Sequence, residues 1–119
     1  MAIAVQHMKE CSLVLLQGRI EDVDCSFLKD VLRAASLSSS KSVWVDCEHI
    51  TSVSGKALRR MRSLAGKAED AGVSLLFYQM PPAVRKAAKE PGSDAGRLHI
   101  VASIADASDY CREKRINGR

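Results

Sequence analysis

Short hydrophobic runs recur at five places along the chain and predict β-strands. Two of them, SVWVDC and VSLLFY, are nearly continuous and rich in β-branched or aromatic residues, as is typical of strands covered on both faces. Only a short polar stretch separates the first two runs, which favours an antiparallel hairpin. The predicted strands are Ala2–Gln6, Ser12–Gln17, Ser42–Cys47, Val73–Tyr78 and Leu98–Ala102.

Between the later strands, hydrophobic residues recur at the spacing of amphipathic helices. The first helix is predicted over residues 24–37, with Asp24 as its N-cap. The second is predicted over residues 54–71, and Gly72 has the position of a C′ glycine that ends a helix. The residues expected to face the core are, in the first helix, Phe27, Leu28, Val31, Leu32 and Ala35, and, in the second, Leu58, Met61, Leu64, Ala65, Ala68 and Ala71.

Two further helices are predicted in the last third of the chain. Pro81-Pro82 opens the third helix, because proline suits a first helical turn, and Pro91-Gly92 stops it. Val84, Ala87 and Ala88 are expected to point inward. The segment Ser103–Asp106 resembles a capping box and predicts the start of a last helix.

The resulting order of elements is ββαβαβαβα, which predicts an α/β fold. Helical crossovers imply mostly parallel strand pairing, so we expect a mixed, mostly parallel sheet of about five strands with about four helices, packed mostly on one face. A chain of 119 residues without a repeat or a long linker predicts one domain, over residues 1–112. Residues 113–119 are predicted to form a flexible basic tail.

The composition, 46% hydrophobic and 27% charged residues, is that of a soluble globular protein. No apolar run approaches the roughly 20 residues that cross a bilayer, and the segment MAIAVQHMKE does not resemble a signal peptide. We therefore expect a cytoplasmic protein, and because we expect no export its cysteines should be reduced, structural thiols. They form no C-x-x-C pair. These cysteines are Cys11, Cys25, Cys47 and Cys111.

The formal net charge is +4, and the basic residues concentrate in two places. We interpret both clusters as solvated surface, with an acidic partner, nucleic acid or a membrane surface as the alternatives. Aromatic residues are only 4% of the chain, so stacking platforms for single-stranded nucleic acid are not evident. The clusters are Lys56, Arg59, Arg60, Arg62 and Lys67 in the second helix, and Arg112, Lys114, Arg115 and Arg119 in the tail.

Motifs for catalysis, cofactors or metals are weak. Neither glycine-rich phosphate loop occurs, and the nucleophile-elbow pattern around a serine is missing. Cys47-Glu48-His49 is the nearest approach to a metal motif, but zinc sites usually need two ligand pairs. Glu48 and His49 are predicted to lie in the loop after the third strand, where two polar residues are common. The sequence therefore predicts neither an enzyme nor a bound cofactor.

The start of the second helix is the most informative junction. A helix N-terminus presents unpaired N–H groups and partial positive charge, and it responds to a phosphate placed there covalently. Ser54 stands at this point, either as a phosphorylatable switch or simply as the N-cap of the helix. Judged from the residues alone, the N-cap is the better interpretation.

Three segments in order resemble the STAS domain family, which includes anti-sigma-factor antagonists and the cytoplasmic tails of sulfate transporters. They are LVLLQGRIEDVDCSFLKDVL (13–32), VWVDCEHITSVSGKAL (43–58) and AGVSLLFYQMPPAVRKAAKEPG (71–92). In the second segment, an ungapped match places Asp46 at the acidic residue that ends the family's strand. Together the segments cover nearly the whole chain, and the resemblance implies the STAS fold.

The same ungapped match gives the residues of the family's phosphorylation motif. Ser54 stands where the family has aspartate, and Gly55 where it has the phosphoacceptor serine. Lys56 occupies the next Ser/Thr position. Ser54 is the remaining candidate for phosphorylation, but its side chain points roughly 100° away from that of the next helical residue. The resemblance therefore predicts a chain without the usual serine phosphoswitch.

The resemblance implies a non-enzymatic regulatory module in a bacterial cytoplasm. It would bind a protein partner, such as a serine-kinase anti-sigma factor, through the loop before the second helix and the first turns of that helix. An accessory subunit of a lipid-transporting ABC complex, bound to its ATPase, is the alternative, and nucleic-acid binding is less favoured. The expected partner-binding residues are Ser52, Ser54, Gly55, Lys56, Arg59 and Arg60.

Overall fold

The structure is a computed structural model that describes residues 2–8, 11–38, 41–88 and 98–101. Its strands form one sheet in the order β1-β2-β3-β4-β5. A 3₁₀ helix, Asp22–Asp24, leads into the first α-helix. The elements are β1 (Ala2–His7), β2 (Ser12–Ile20), α1 (Cys25–Ser36), β3 (Ser42–Val53), α2 (Gly55–Asp70), β4 (Ser74–Tyr78), α3 (Pro82–Ala88) and β5 (His99–Val101).

The pairing of the strands confirms the predicted α/β architecture. β1 and β2 form the expected antiparallel hairpin, and every later neighbour pair in the sheet is parallel. α3 begins at Pro82 as predicted. The described residues contain three α-helices. The predicted helix stop at Pro91-Gly92, the last helix from Ser103 and the tail 113–119 lie outside these residues, and the boundary at residue 112 stays a prediction.

All three α-helices pack on one face of the sheet. Every second residue of the central strands points into this core, for example Val43 and Val45 in β3 and Leu75 and Phe77 in β4. Burial of such side chains is the main stabilising term of the fold, at roughly 1.5–3 kcal/mol each. The helices contribute Leu28, Val31, Leu32 and Ala35 from α1, Leu58, Met61, Leu64, Ala65 and Ala68 from α2, and Val84 from α3.

Three residues of the predicted helices differ from their predicted burial: two that were expected in the core are exposed, and one that was expected on the surface is buried. Phe27 is 37% exposed, because it lies at the margin of the apolar face of α1. Ala71 is exposed, because α2 ends at Asp70. Arg62, assigned above to the solvated surface, is only 5% exposed and is buried along the same helix. The helical period places Arg62 beside Leu58 and Ala65, so its long side chain extends along covered surface.

The opposite face of the sheet is covered at the centre of the sheet, over β3 and β4, as the continuous hydrophobic runs of these strands predicted. Cys11, Trp44, Leu76 and Tyr78 form a second buried cluster there. Burial and the neighbouring Asp46 carboxylate, which hydrogen-bonds the phenol, raise the pKa of Tyr78 to about 12. Asp46 and Tyr78 are direct partners in the parallel register of β3 and β4.

β3 is longer than predicted. Two irregularities interrupt the alternation of side chains in its second half, so the sequence pattern does not identify that half as a strand. Between the pairs Leu15–Asp46 and Gln17–His49, β3 has one residue more than β2, and a second extra residue follows Ile50. Each extra residue breaks the alternation of side chains, as in a β-bulge. The inward positions are consequently Val43, Val45, Cys47, Ile50 and Val53. Glu48, His49 and Ser52 therefore lie within a strand, so their prediction as loop residues is wrong.

The predicted helix ends are confirmed in position and partly in chemistry. Asp24 precedes α1, but its carboxylate accepts the Glu21 N–H at 2.8 Å and makes no cap to α1, because the chain is already helical from Asp22. Gly72 has the expected left-handed backbone, with φ of 77°. The Gly72 N–H donates to Glu69 O, and the Val73 N–H donates to Ala68 O, the pair of bonds of a Schellman motif.

Candidate functional site

Ser54 joins β3 directly to α2 and is held by three hydrogen bonds. Its N–H donates to Ile20 O at 3.0 Å, and its C=O accepts the Leu58 N–H at 2.9 Å. Its Oγ accepts the Ala57 N–H at 3.0 Å. With φ of −66° and ψ of 157°, Ser54 has the extended backbone of an N-cap. The capping interpretation is therefore confirmed, and the half-buried hydroxyl is engaged with the helix.

The predicted loop before α2 consists of Ser54 alone. Val53 still pairs with Ile20 in the sheet, and Gly55 is already helical. Ser52 pairs with Arg19 near the end of β3 and is exposed. Of the six predicted partner-binding residues, one thus lies on a strand, one at the junction and four on the helix. They follow one another from the end of β3 into the first turns of α2, because strand and helix meet there without a spacer.

Gly55 stands at the position that the resemblance assigns to the phosphoacceptor, and its surroundings have room for a side chain. A Cβ placed on Gly55 would have the Nη1 atom of Arg59, at 3.9 Å, as its nearest neighbour, which is ordinary van der Waals contact. Its backbone is helical, so a residue other than glycine is compatible with it. The backbone therefore does not require glycine here, and the lost hydroxyl is a property of the sequence.

The first turns of α2 present three exposed cations: Lys56, Arg59 and Arg60. No acidic residue lies in the first turn of this helix. Positive charge beside a helix N-terminus opposes the helix dipole, at a cost of typically a few tenths of a kcal/mol. The Arg60 charge also lies near the Cys25 thiol, where it favours the thiolate, but burial dominates and raises the pKa of Cys25 to about 11.

Two exposed apolar residues lie on the elements that contact α2, and sequence reasoning missed their exposure. The 3₁₀ helix Asp22–Asp24 packs beside α2, and the Cys25 thiol reaches Ala57 O across the same junction at 3.7 Å. Val23 is 72% exposed and Phe27, one helical turn later, is 37% exposed. The four-residue spacing was a signal for a shared face, but only the structure shows that this face is not buried.

The remaining chemical candidates do not converge into a site. Glu48 and His49 are both exposed on β3, with Oε2 and Nε2 3.9 Å apart, whereas Cys47 is fully buried in the core. Burial, with a smaller effect of the Asp46 charge, raises the pKa of the Cys47 thiol to about 12. Cys11 and Cys25 are also buried, as expected for structural thiols, and Cys111 lies outside the described residues.

Nowhere in residues 2–8, 11–38, 41–88 and 98–101 do three or more metal-binding side chains come together. None of the helices in this part of the chain is long and apolar enough to span a membrane.

The family is established by a direct match. The family model described as "Mlab, STAS domain" matches residues 3–101, which is most of the chain. The chain therefore belongs to the STAS domain family, as its three segments suggested. No curated protein matches the sequence significantly.

Solved structures show the same fold at low sequence identity. A variant of RsbS from Moorella thermoacetica has a TM-score of 0.75 and 15% identity, with 95% of this chain and 97% of that chain covered. The phosphorylated form of the Bacillus cell fate determinant SpoIIAA has a TM-score of 0.66 and 13% identity, with 93% and 100% covered. The chain is thus similar in fold to SpoIIAA, an anti-sigma factor antagonist.

A third similar structure is part of a transporter. The murine Solute Carrier 26 family member A9 anion transporter has a TM-score of 0.70 and 16% identity, and the match covers 91% of this chain but only 18% of that chain. The fold therefore occurs both as a whole small protein and as one part of a large membrane protein.

Proposed function

We propose that this chain is a non-enzymatic regulatory module that binds a protein partner through the start of α2. The binding surface comprises Ser52, Ser54, Gly55, Lys56, Arg59 and Arg60, and we add the neighbouring Val23 and Phe27 as its apolar part. The observation that carries the proposal is the set of three exposed cations in the first turns of α2, unaccompanied by an acidic residue in the first turn.

The composition of this surface indicates which kind of partner it would bind. Interfaces commonly combine an apolar centre with a polar or charged rim, and arginine and aromatic residues are enriched among their strongest contacts. Val23 and Phe27 would supply the apolar contacts, while Lys56, Arg59 and Arg60 favour acidic groups on the partner. Lys56 lies in the first turn, where its charge opposes the helix dipole and lowers the stability of α2 slightly, which is understandable if it serves binding.

In this proposal, partner binding is not regulated by phosphorylation at the family's usual position. Gly55 offers no hydroxyl, and the Ser54 hydroxyl is occupied by the Ala57 N–H. A phosphate on Ser54 would have to break that cap. We therefore propose that the module binds its partner without the usual serine phosphoswitch, in a bacterial cytoplasm, with a serine-kinase anti-sigma factor as the favoured partner.

A transporter subunit is the second candidate. Two observations favour it: the matching family model carries the Mlab name, and the same fold forms part of an anion transporter. In this case the start of α2 would bind the ATPase of an ABC-type lipid-transport complex. The two candidates share the surface and differ in the partner.

Affinity capture from the source cell, followed by mass spectrometry of partner and bait, tests the proposal and separates the candidates. We expect recovery of a serine kinase or sigma regulator together with an unmodified bait. Recovery of a permease and an ATPase would favour the transporter candidate instead. Stoichiometric phosphate on Ser54 would contradict the absence of a phosphoswitch, and a bait that enriches no protein at all would contradict the binding function.

A further inference from the structure

Among the described residues β1 forms an edge of the sheet, and the strand itself has neither charged residues nor proline nor a bulge. It pairs with β2 on one side, and no strand of the described residues lies on its other side. Edge strands usually resist pairing with other chains through charged residues, proline or bulges. The sequence of β1 is AIAVQH, without Lys, Arg, Asp, Glu or Pro, and its register with β2 is unbroken from Ala2 to His7.

An apolar pocket adjoins this edge on the helix side. It lies between the hairpin and α1 and is lined by Ile3, Val14, Leu16, Phe27 and Leu28, among others. Ile3 and Val5 point to the same side and remain half-buried. A strand added along β1 would place every second side chain next to Ile3 and Val5 and toward Phe27. Such a strand would therefore gain both backbone hydrogen bonds and apolar contacts.

We propose that this edge pairs with β1 of a second copy of the chain, in antiparallel orientation about a two-fold axis at Ala4. The pairing joins the two sheets into one continuous sheet. It is a further function of the fold, and its contact shares only Phe27 with the partner surface proposed at the start of α2. The resulting dimer would be isologous, the commonest arrangement of homo-oligomers.

The sequence of β1 is self-complementary in this register. Ala4 faces Ala4 of the partner subunit, and Ile3 faces Val5 of the partner subunit. Residues that face each other point to the same side of the sheet, so the apolar pair extends the helix-side core of both copies. No like charges meet across the axis, because β1 carries no acidic or strongly basic residue.

The small size of the contact determines its strength. Each copy contributes a strand of 6 residues. Stable protein interfaces typically bury about 1,200–2,000 Å² in total, and a single pair of such short strands with a few side-chain contacts falls below that range, among weak and transient contacts. We therefore expect a reversible dimer whose population rises with concentration, rather than an obligate one.

Sedimentation equilibrium of the full chain over a range of concentrations tests the proposal. The wild-type chain should show a monomer–dimer equilibrium. The variants Ala4→Lys and Ala4→Glu, which place like charges opposite each other at the axis, should raise the dissociation constant at least about tenfold. Ala4 is exposed, so each variant should keep the far-ultraviolet circular dichroism of the wild type.

Two controls make the test specific. An equimolar mixture of Ala4→Lys and Ala4→Glu should regain dimers, because opposite charges then meet at the axis. Ser63→Lys, with the same charge at an exposed position of α2, should dimerise as the wild type does.

Three outcomes would overturn the proposal. A wild-type chain that remains monomeric at every concentration would rule out a second copy and leave the edge to a strand from another source. Undiminished dimerisation of both Ala4 variants would place the contact elsewhere. A monomeric mixture of the two charged variants would contradict the two-fold register.

Discussion

At the scale of single residues, Ser54 shows how one side chain can join two elements. Its backbone closes the end of the sheet against Ile20, and its hydroxyl opens α2 by accepting the Ala57 N–H. A hydroxyl engaged in this way stabilises the helix start. The same engagement makes it a poor acceptor for a modifying group, because phosphorylation would remove the cap while adding charge.

Replacing the cap should lower the stability of the whole domain. We expect Ser54→Ala to reduce the free energy of unfolding by about 1 kcal/mol, because the Ala57 N–H loses its partner at a half-buried junction. Urea unfolding followed by circular dichroism measures this difference. Ser54→Asn, which retains an oxygen acceptor, should be close to wild type, and Ser63→Ala on the exposed side of α2 serves as the matched control. An unchanged stability of Ser54→Ala would contradict the capping role.

At the scale of elements, the glycines at the two ends of α2 differ in whether the backbone conformation requires them. Gly72 has a positive φ of 77°, which residues with a Cβ adopt only under strain. Gly55 has a helical backbone and open space around the missing Cβ. One glycine is therefore required by conformation and the other is not.

A pair of alanine substitutions distinguishes these two roles. Gly72→Ala should destabilise the domain by roughly 1 kcal/mol through backbone strain alone, because no atom lies within 4 Å of the added Cβ. Gly55→Ala should be neutral or stabilising by up to about 1 kcal/mol, because alanine favours the helix. Urea midpoints of the two variants provide the comparison. Equal effects of the two substitutions would contradict this account of the helix ends.

The elements also show where sequence reasoning succeeded and where it failed. The helical spacing of α2 and the proline at the start of α3 were sufficient, because local chemistry determines these features. β3 was predicted to end at Cys47, because the polar pair Glu48-His49 breaks the alternation that identifies a strand. The inward residues of β3 change from a spacing of two to a spacing of three at its bulges, and that pattern is visible only when the partner strand is known.

The sequence locates the candidate site at the start of α2, and its role in partner binding stays a prediction. The resemblance identified the start of α2, and the exposure of Lys56, Arg59 and Arg60 agrees with a surface role. Val23 and Phe27 were not predicted, because exposure depends on how α1 lies over the hairpin. A helical pattern alone does not distinguish a residue in the middle of an apolar face from one at its margin.

At the scale of the whole molecule, buried acidic groups make stability depend on alkaline pH. The pKa of the Cys47 thiol is raised by burial to about 12 and that of the Cys25 thiol to about 11, from an ordinary 9.0. The pKa of Tyr78 is raised to about 12 from 10.0, chiefly by burial. The unfolded chain releases these protons more readily than the folded chain. The contribution of the three groups to the free energy of unfolding is therefore fully present below about pH 9 and is lost as pH rises toward 12.

We therefore expect the free energy of unfolding to fall steadily above pH 9. Urea unfolding between pH 8 and pH 11, followed by the fluorescence of the buried Trp44, measures the slope. Cys47→Ala should show a shallower decline over the same range, because one raised pKa is removed. Tyr78→Phe should differ from wild type only at the upper end, above about pH 10. A stability that is flat from pH 8 to pH 11 would contradict the burial of these groups.

The proposed function depends on partner binding through the start of α2. Two triple variants with the same change of charge test this binding when their affinities for the protein that co-purifies with the wild-type chain are compared. One variant reverses Lys56, Arg59 and Arg60 to glutamate. The matched control reverses Lys29, Arg33 and Lys86, which are exposed on α1 and α3.

Isothermal titration calorimetry of the wild type and both variants gives the decisive numbers. Reversal of Lys56, Arg59 and Arg60 should weaken binding at least about tenfold, because acidic groups on the partner then meet like charges. The control should bind as the wild type does, with both variants folded by circular dichroism. Equal binding by both variants, or a loss confined to the control, would contradict the claim.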